Sequence, residues 1–184
     1  MKFRAALAIA ALALLTLVAC DAGKKATADA ALKAADTASS SVIAEGMKYV
    51  PDQAKALQDS ISNAHAAYDK GDYGAVITAV KDVPSQAKAL SDAIKAKKDE
   101  LTAKFNEINA KVPGLMEAIN GKMAQLQKMH KVPAGADTSI ADLKSTWGAA
   151  TSAFSSGDIA DAAAKASAAQ QKLDEIRTML GMKS

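Results

Sequence analysis

Two histidines, one cysteine and a scatter of methionines make up most of the reactive side chains here, and their spacing limits the chemistry open to them. A histidine-dependent triad, or a zinc site with several imidazole ligands, would have to draw on both His65 and His130. His65 borders an apolar stripe that contains Ile61 and Tyr68, which suits a border residue. His130 closes a helical segment just before Lys131-Val132-Pro133, where a helix dipole favours a cation. One metal set has some specificity: Met123, Met129 and His130, with Met116 nearby, offer the thioether and imidazole donors that suit cuprous copper. Met123 also continues an apolar stripe, as a core methionine does. The expectation is no metal and no cofactor.

The carboxylates point the same way. Asp99 and Glu100 follow Lys95, Lys97 and Lys98, and Asp174, Glu175 and Arg177 decorate the last predicted helix opposite Leu173 and Ile176. Such runs read as solvated helix faces. No spacing suggests a paired-carboxylate hydrolase, a phosphate loop, a dinucleotide fingerprint or a basic-aromatic nucleic-acid surface. Aromatics are 4% of the chain, and Trp147 and Phe154, seven apart, read as core anchors or as the lining of a groove.

These residues must be positioned by helices. All four prolines follow a valine, at Val50-Pro51, Val83-Pro84, Val112-Pro113 and Val132-Pro133. Proline fits a helix's first turn and biases its predecessor away from helical geometry, so each pair predicts a boundary. Gly71-Asp72 and Gly157-Asp158 predict two more, with a left-handed glycine ending one helix and an aspartate capping the next. The apolar spacing predicts helices over 28–48, 51–69, 72–82, 84–111, 113–130, 138–155 and 158–180, an all-α bundle of helical hairpins with about six to seven segments.

Two internal repeats reinforce the hairpins. Val50-Pro51-Asp52-Gln53-Ala54-Lys55-Ala56-Leu57 recurs 33 residues later as Val83-Pro84-Ser85-Gln86-Ala87-Lys88-Ala89-Leu90. More weakly, Ile61, Ala64, Ala67, Tyr68 and Gly71-Asp72 match Trp147, Ala150, Ala153, Phe154 and Gly157-Asp158. The segment Ala67-Tyr68-Asp69-Lys70-Gly71-Asp72-Tyr73 resembles the turn inside a tetratricopeptide repeat, which implies helical-hairpin packing and a partner-binding role. The segment after Asp72 is short for that family's second helix.

The cysteine has the most specific surroundings. Lys2 and Arg4 precede an apolar run from Leu7 to Val18, too short for a finished transmembrane helix. Leu17-Val18-Ala19-Cys20 then resembles the lipobox of bacterial lipoproteins. That resemblance implies cleavage before Cys20, a diacylglyceryl group on its sulfur, acylation of the new amine and a location facing the periplasm. Asp21, directly after the cysteine, resembles the signal that retains enteric lipoproteins in the inner membrane; without that rule the outer membrane is the expectation. Setting aside Lys2 and Arg4 lowers the formal net charge from +3 to +1, which implies no strong attraction to nucleic acid.

The expected organisation is a signal peptide over 1–19, a lipidated N-terminus and tether over 20–27, and one helical domain over 28–184. The expected function is a membrane-anchored, non-enzymatic protein that binds another envelope protein or acts as a scaffold. The alternative is a carrier of a small apolar ligand inside the bundle, with Trp147 and Met123 lining a cavity.

Overall fold

The computed structural model describes residues 21–182, so Leu17, Val18, Ala19 and Cys20 lie outside it. The described residues form six helices: α1 (Asp21–Tyr49), α2 (Pro51–Asp69), α3 (Tyr73–Val80), α4 (Val83–Lys128), α5 (Ala136–Ser155) and α6 (Ile159–Met179). No strand occurs among them, and the fold is all-α.

The punctuation works through specific hydrogen bonds. Val50 alone separates α1 from α2; its N–H donates to the Gly46 carbonyl at 2.7 Å, and Pro51 opens α2. At the α2–α3 turn Gly71 adopts φ +77°, and Gly71 and Asp72 N–H donate to the Tyr68 and Ala67 carbonyls at 2.9 and 3.0 Å. The Asp72 carboxylate then accepts the Ala75 N–H at 2.9 Å. The α5–α6 turn repeats every part: Gly157 at φ +84°, N–H bonds from Gly157 and Asp158 to Phe154 and Ala153, and an Asp158 cap on Asp161 at 3.0 Å. Both turns satisfy carbonyls and N–H groups that a helix end leaves orphaned.

One proline boundary fails. The segments expected over 84–111 and 113–130 are a single 46-residue helix, α4, with Pro113 inside it. Pro113 lacks the N–H that the Asn109 carbonyl would accept, at a cost of about 3 kcal/mol. The buried stripe of Ile108, Val112, Ile119 and Met123 runs unbroken across it. Burying each such side chain returns about 1.5–3 kcal/mol, enough to outweigh the proline. The expected tether also differs: α1 already begins at Asp21, although burial begins at Ala28. Helices α3 and α5 differ from their expected spans, at Tyr73–Val80 and Ala136–Ser155, and Val132-Pro133 lies in the loop before α5.

Side-chain pairs give the helix directions. His65 lies beside Asp36 and Tyr68 beside Asp29, so α2 runs back down α1. Gly46, Ala54 and Leu90 meet where α1, α2 and α4 come together, and Lys98 reaches the Tyr49 ring, 5.0 Å from its centroid. Helix α4 therefore passes the end of α1 near Lys98 and continues beyond it. Helix α6 starts at the same level, where Lys48 contacts Asp158.

The core divides accordingly. The lower part of the bundle buries Leu32, Leu57, Ile61, Val76, Leu90 and Ile94 from α1 to α4. The upper part buries Phe105, Ile108, Ile119, Leu143, Leu173 and Ile176 from α4, α5 and α6. Helices α5 and α6 meet through alanines, including Ala150, Ala153, Ala162 and Ala166, whose small side chains permit close approach. Helix α4 reaches α5 through rings: Phe105 stacks on Phe154 at 4.1 Å and on Trp147 at 5.7 Å between centroids.

Candidate functional site

An open groove of about 440 Å³ lies between α4 and α6 in the upper half. Ile108, Val112, Leu115 and Leu173 provide apolar lining, and Lys111, Gly114, Gln170, Asp174 and Arg177 complete it. Gly114, which has no side chain, lies in this wall directly after Pro113 of α4. Helical spacing explains the lining: Ile108, Val112 and Leu115 recur every three to four residues along α4, while Gln170, Leu173, Asp174 and Arg177 do so along α6.

The charges here are paired. Lys111 Nζ contacts Glu107 at 2.6 Å, and Arg177 Nη1 contacts Asp174 at 3.3 Å. The Lys111 hydrogen bond holds the Glu107 carboxyl below the usual carboxylate range. Such a carboxylate is a poor proton donor at neutral pH. The groove presents apolar groups, the Gln170 amide and paired ions to solvent.

A second, smaller groove of about 240 Å³ is lined by Gln53, Ala56, Leu57 and Ser60 of α2 with Gln86, Ala89 and Leu90 of α4. The 33-residue repeat thus supplies equivalent residues to both walls. Duplication here has an architectural consequence, because Leu57 and Leu90 are both core residues.

The residues considered for copper have different surroundings. Met123 is buried in the upper core, Met116 packs partly against that core, and Met129 is 51% exposed. His130 has φ +54°; its N–H donates to Gln127 and the Lys131 N–H to Leu126, at 3.1 and 2.9 Å. It therefore takes the left-handed place at the end of α4 that glycine takes after α2 and α5. His65 is exposed, with Nε2 3.0 Å from the Asp36 carboxylate. Among the described residues no group of three or more histidine, cysteine, aspartate or glutamate side chains is placed to hold a metal ion.

Trp147 and Met123 likewise belong to the packed upper core rather than to the lining of either groove. Cys20 and the three residues before it fall outside the described residues, and Asp21 is the first residue of α1. No described helix is long and apolar enough to cross a membrane. Sequence reasoning assigned Asp174 and Arg177 to a solvated face and missed the groove beside them. The signal available was Pro113-Gly114 within an uninterrupted apolar stripe. Comparisons with protein-family models, curated proteins and solved structures find no match to this chain.

Proposed function

We propose that this is a membrane-anchored envelope lipoprotein, held by acyl groups on Cys20, whose helical domain binds a segment of another protein in the α4–α6 groove. The observation that carries the binding role is the groove itself, an open concavity with apolar lining and paired charges beside a core closed by stacked aromatic rings. The anchor rests on Leu17-Val18-Ala19-Cys20 and the basic, apolar leader before it. The likeness of the Gly-Asp turns to tetratricopeptide hairpins supports the same role. Membrane confinement would raise the effective concentration of the domain near its partner without any new contact. The domain faces the periplasm, on the inner membrane if Asp21 acts as the sorting residue.

Two experiments test the parts separately. Cys20→Ser should remove the acyl mass and release or misprocess the protein; unchanged membrane fractionation would sink the anchor. A photo-crosslinking residue at Gln170 should capture one protein in native membranes, and Leu115→Arg should abolish that product. Capture that persists in the arginine variant would sink the groove.

A further inference from the structure

The expected tether is helix. Residues 23–27 of α1 are exposed, yet they continue the helix that packs into the bundle from Ala28 onward. Local chemistry accounts for it: Lys24, Lys25 and Ala26 are good helix formers. The Thr27 hydroxyl donates to the Gly23 carbonyl at 3.0 Å within this stretch. Cys20 is one peptide bond from the start of α1, so a lipid on its sulfur would join the bundle without a long flexible leash.

The helix directions turn this into an orientation. Tyr68 Oη donates to Asp29, which puts the α2–α3 turn near the Cys20 end of α1. Helix α1 rises about 42 Å from Asp21 to Tyr49 at 1.5 Å per residue. Lys98 lies beside Tyr49, and α4 continues from there to Lys128, about 45 Å further at the same rise. Helix α6 follows α4 upward, since Asp158 sits at the Lys48 level while Leu173 and Arg177 share a groove with Val112 and Leu115.

We infer that the protein stands on its anchor as a strut. The α2–α3 turn faces the lipid surface, and the loop after α4, with Met129 and His130, is held roughly 85 Å from the start of α1 at Asp21. The α4–α6 groove sits between, well clear of the headgroups, where it can meet a partner that does not itself touch the membrane. This inference rests on Cys20 as the anchoring residue.

Because Cys20 is the only cysteine, the geometry can be tested without native acylation. The chain from Cys20 onward, which contains every described residue, is coupled through its thiol to maleimide lipids in a supported bilayer. Neutron reflectometry then reads the protein layer. The strut gives a layer roughly 80–90 Å thick. A layer of about 20–30 Å, the width of two or three packed helices, overturns it. Ala26→Pro breaks α1 outside the packed bundle, so it should leave the thermal melt unchanged while collapsing or blurring the layer. An unchanged layer in that variant also overturns the inference, because α1 would not be what holds the bundle upright. Loss of native acylation would defeat the anchor and leave this geometric result standing; a thin layer would defeat the strut alone.

Discussion

Lys48 Nζ lies 2.6 Å from an Asp158 carboxylate oxygen, while the other oxygen of that carboxylate accepts the Asp161 N–H at 3.0 Å. One side chain thus caps α6 and ties it to the end of α1, where the lower and upper parts of the core adjoin. The Lys48 hydrogen bond and then the Asp161 N–H hold Asp158 below its ordinary value, and Asp158 raises Lys48.

The pair predicts stability lost at both pH extremes. A depressed aspartate contributes fully above its unfolded value, about 4, and loses that contribution as pH falls through the folded value. A raised lysine contributes fully below its unfolded value, about 10.4, and loses it as pH rises through the folded value. Asp158→Asn keeps a capping oxygen but not the charge, so its melting temperature should fall less than that of Asp158→Ala. Thermal melts between pH 2.5 and 7 should show a flatter acid limb in both variants; an unchanged acid limb would sink the coupling.

Gly46 is buried where α1, α2 and α4 converge, and a Cβ there would sit 2.9 Å from Ala54 Cβ and 3.0 Å from Leu90 Cδ1. Alanine gains about 1 kcal/mol of helix propensity, and overpacking costs about 1–3 kcal/mol. Gly46→Ala should lose about 1 kcal/mol in urea denaturation. Gly46→Leu should cost more, and equal stability in both would show that the helices can part freely.

Phe105 is 3% exposed and joins α4 to two rings of α5. Phe105→Ala should cost about 3–5 kcal/mol, the range for deleting a buried ring. Trp147, the only tryptophan, reports the change directly. Its emission should shift to longer wavelength in the folded variant, whereas an unshifted spectrum would place Trp147 outside the stack.

Two backbone irregularities of α4 predict gains. Pro113→Ala restores an N–H for the Asn109 carbonyl and should add about 2–3 kcal/mol, measured by chemical denaturation. His130→Gly should add about 1 kcal/mol by relieving a left-handed residue that carries a Cβ. If Pro113→Ala stabilised the domain while abolishing partner crosslinking, the proline would be retained for the groove rather than for the fold.

The helical hairpins were legible because their signals are local. Gly71-Asp72 and Gly157-Asp158 announce a left-handed residue followed by a cap, and both turns form with the same bonds. Val112-Pro113 was misleading for a non-local reason: the boundary it proposes competes with burial of Val112, Ile119 and Met123 against other helices. Met123 and Met129 show the same limit. Their spacing suggested shared chemistry, yet neighbouring helices bury one and leave the other exposed.

By itself the sequence determined the helical class, the hairpin turns and the chemical context of Cys20, because each depends on residues within a few positions of one another. Only the tertiary structure decided that α4 is continuous, that α1 reaches back to Asp21, that Phe105 lies against Trp147 and Phe154, and that Val112, Gly114 and Leu115 line a groove completed by α6. Those outcomes depend on which faces of distant segments meet. Apolar burial across such contacts is large enough to override a single proline's local preference.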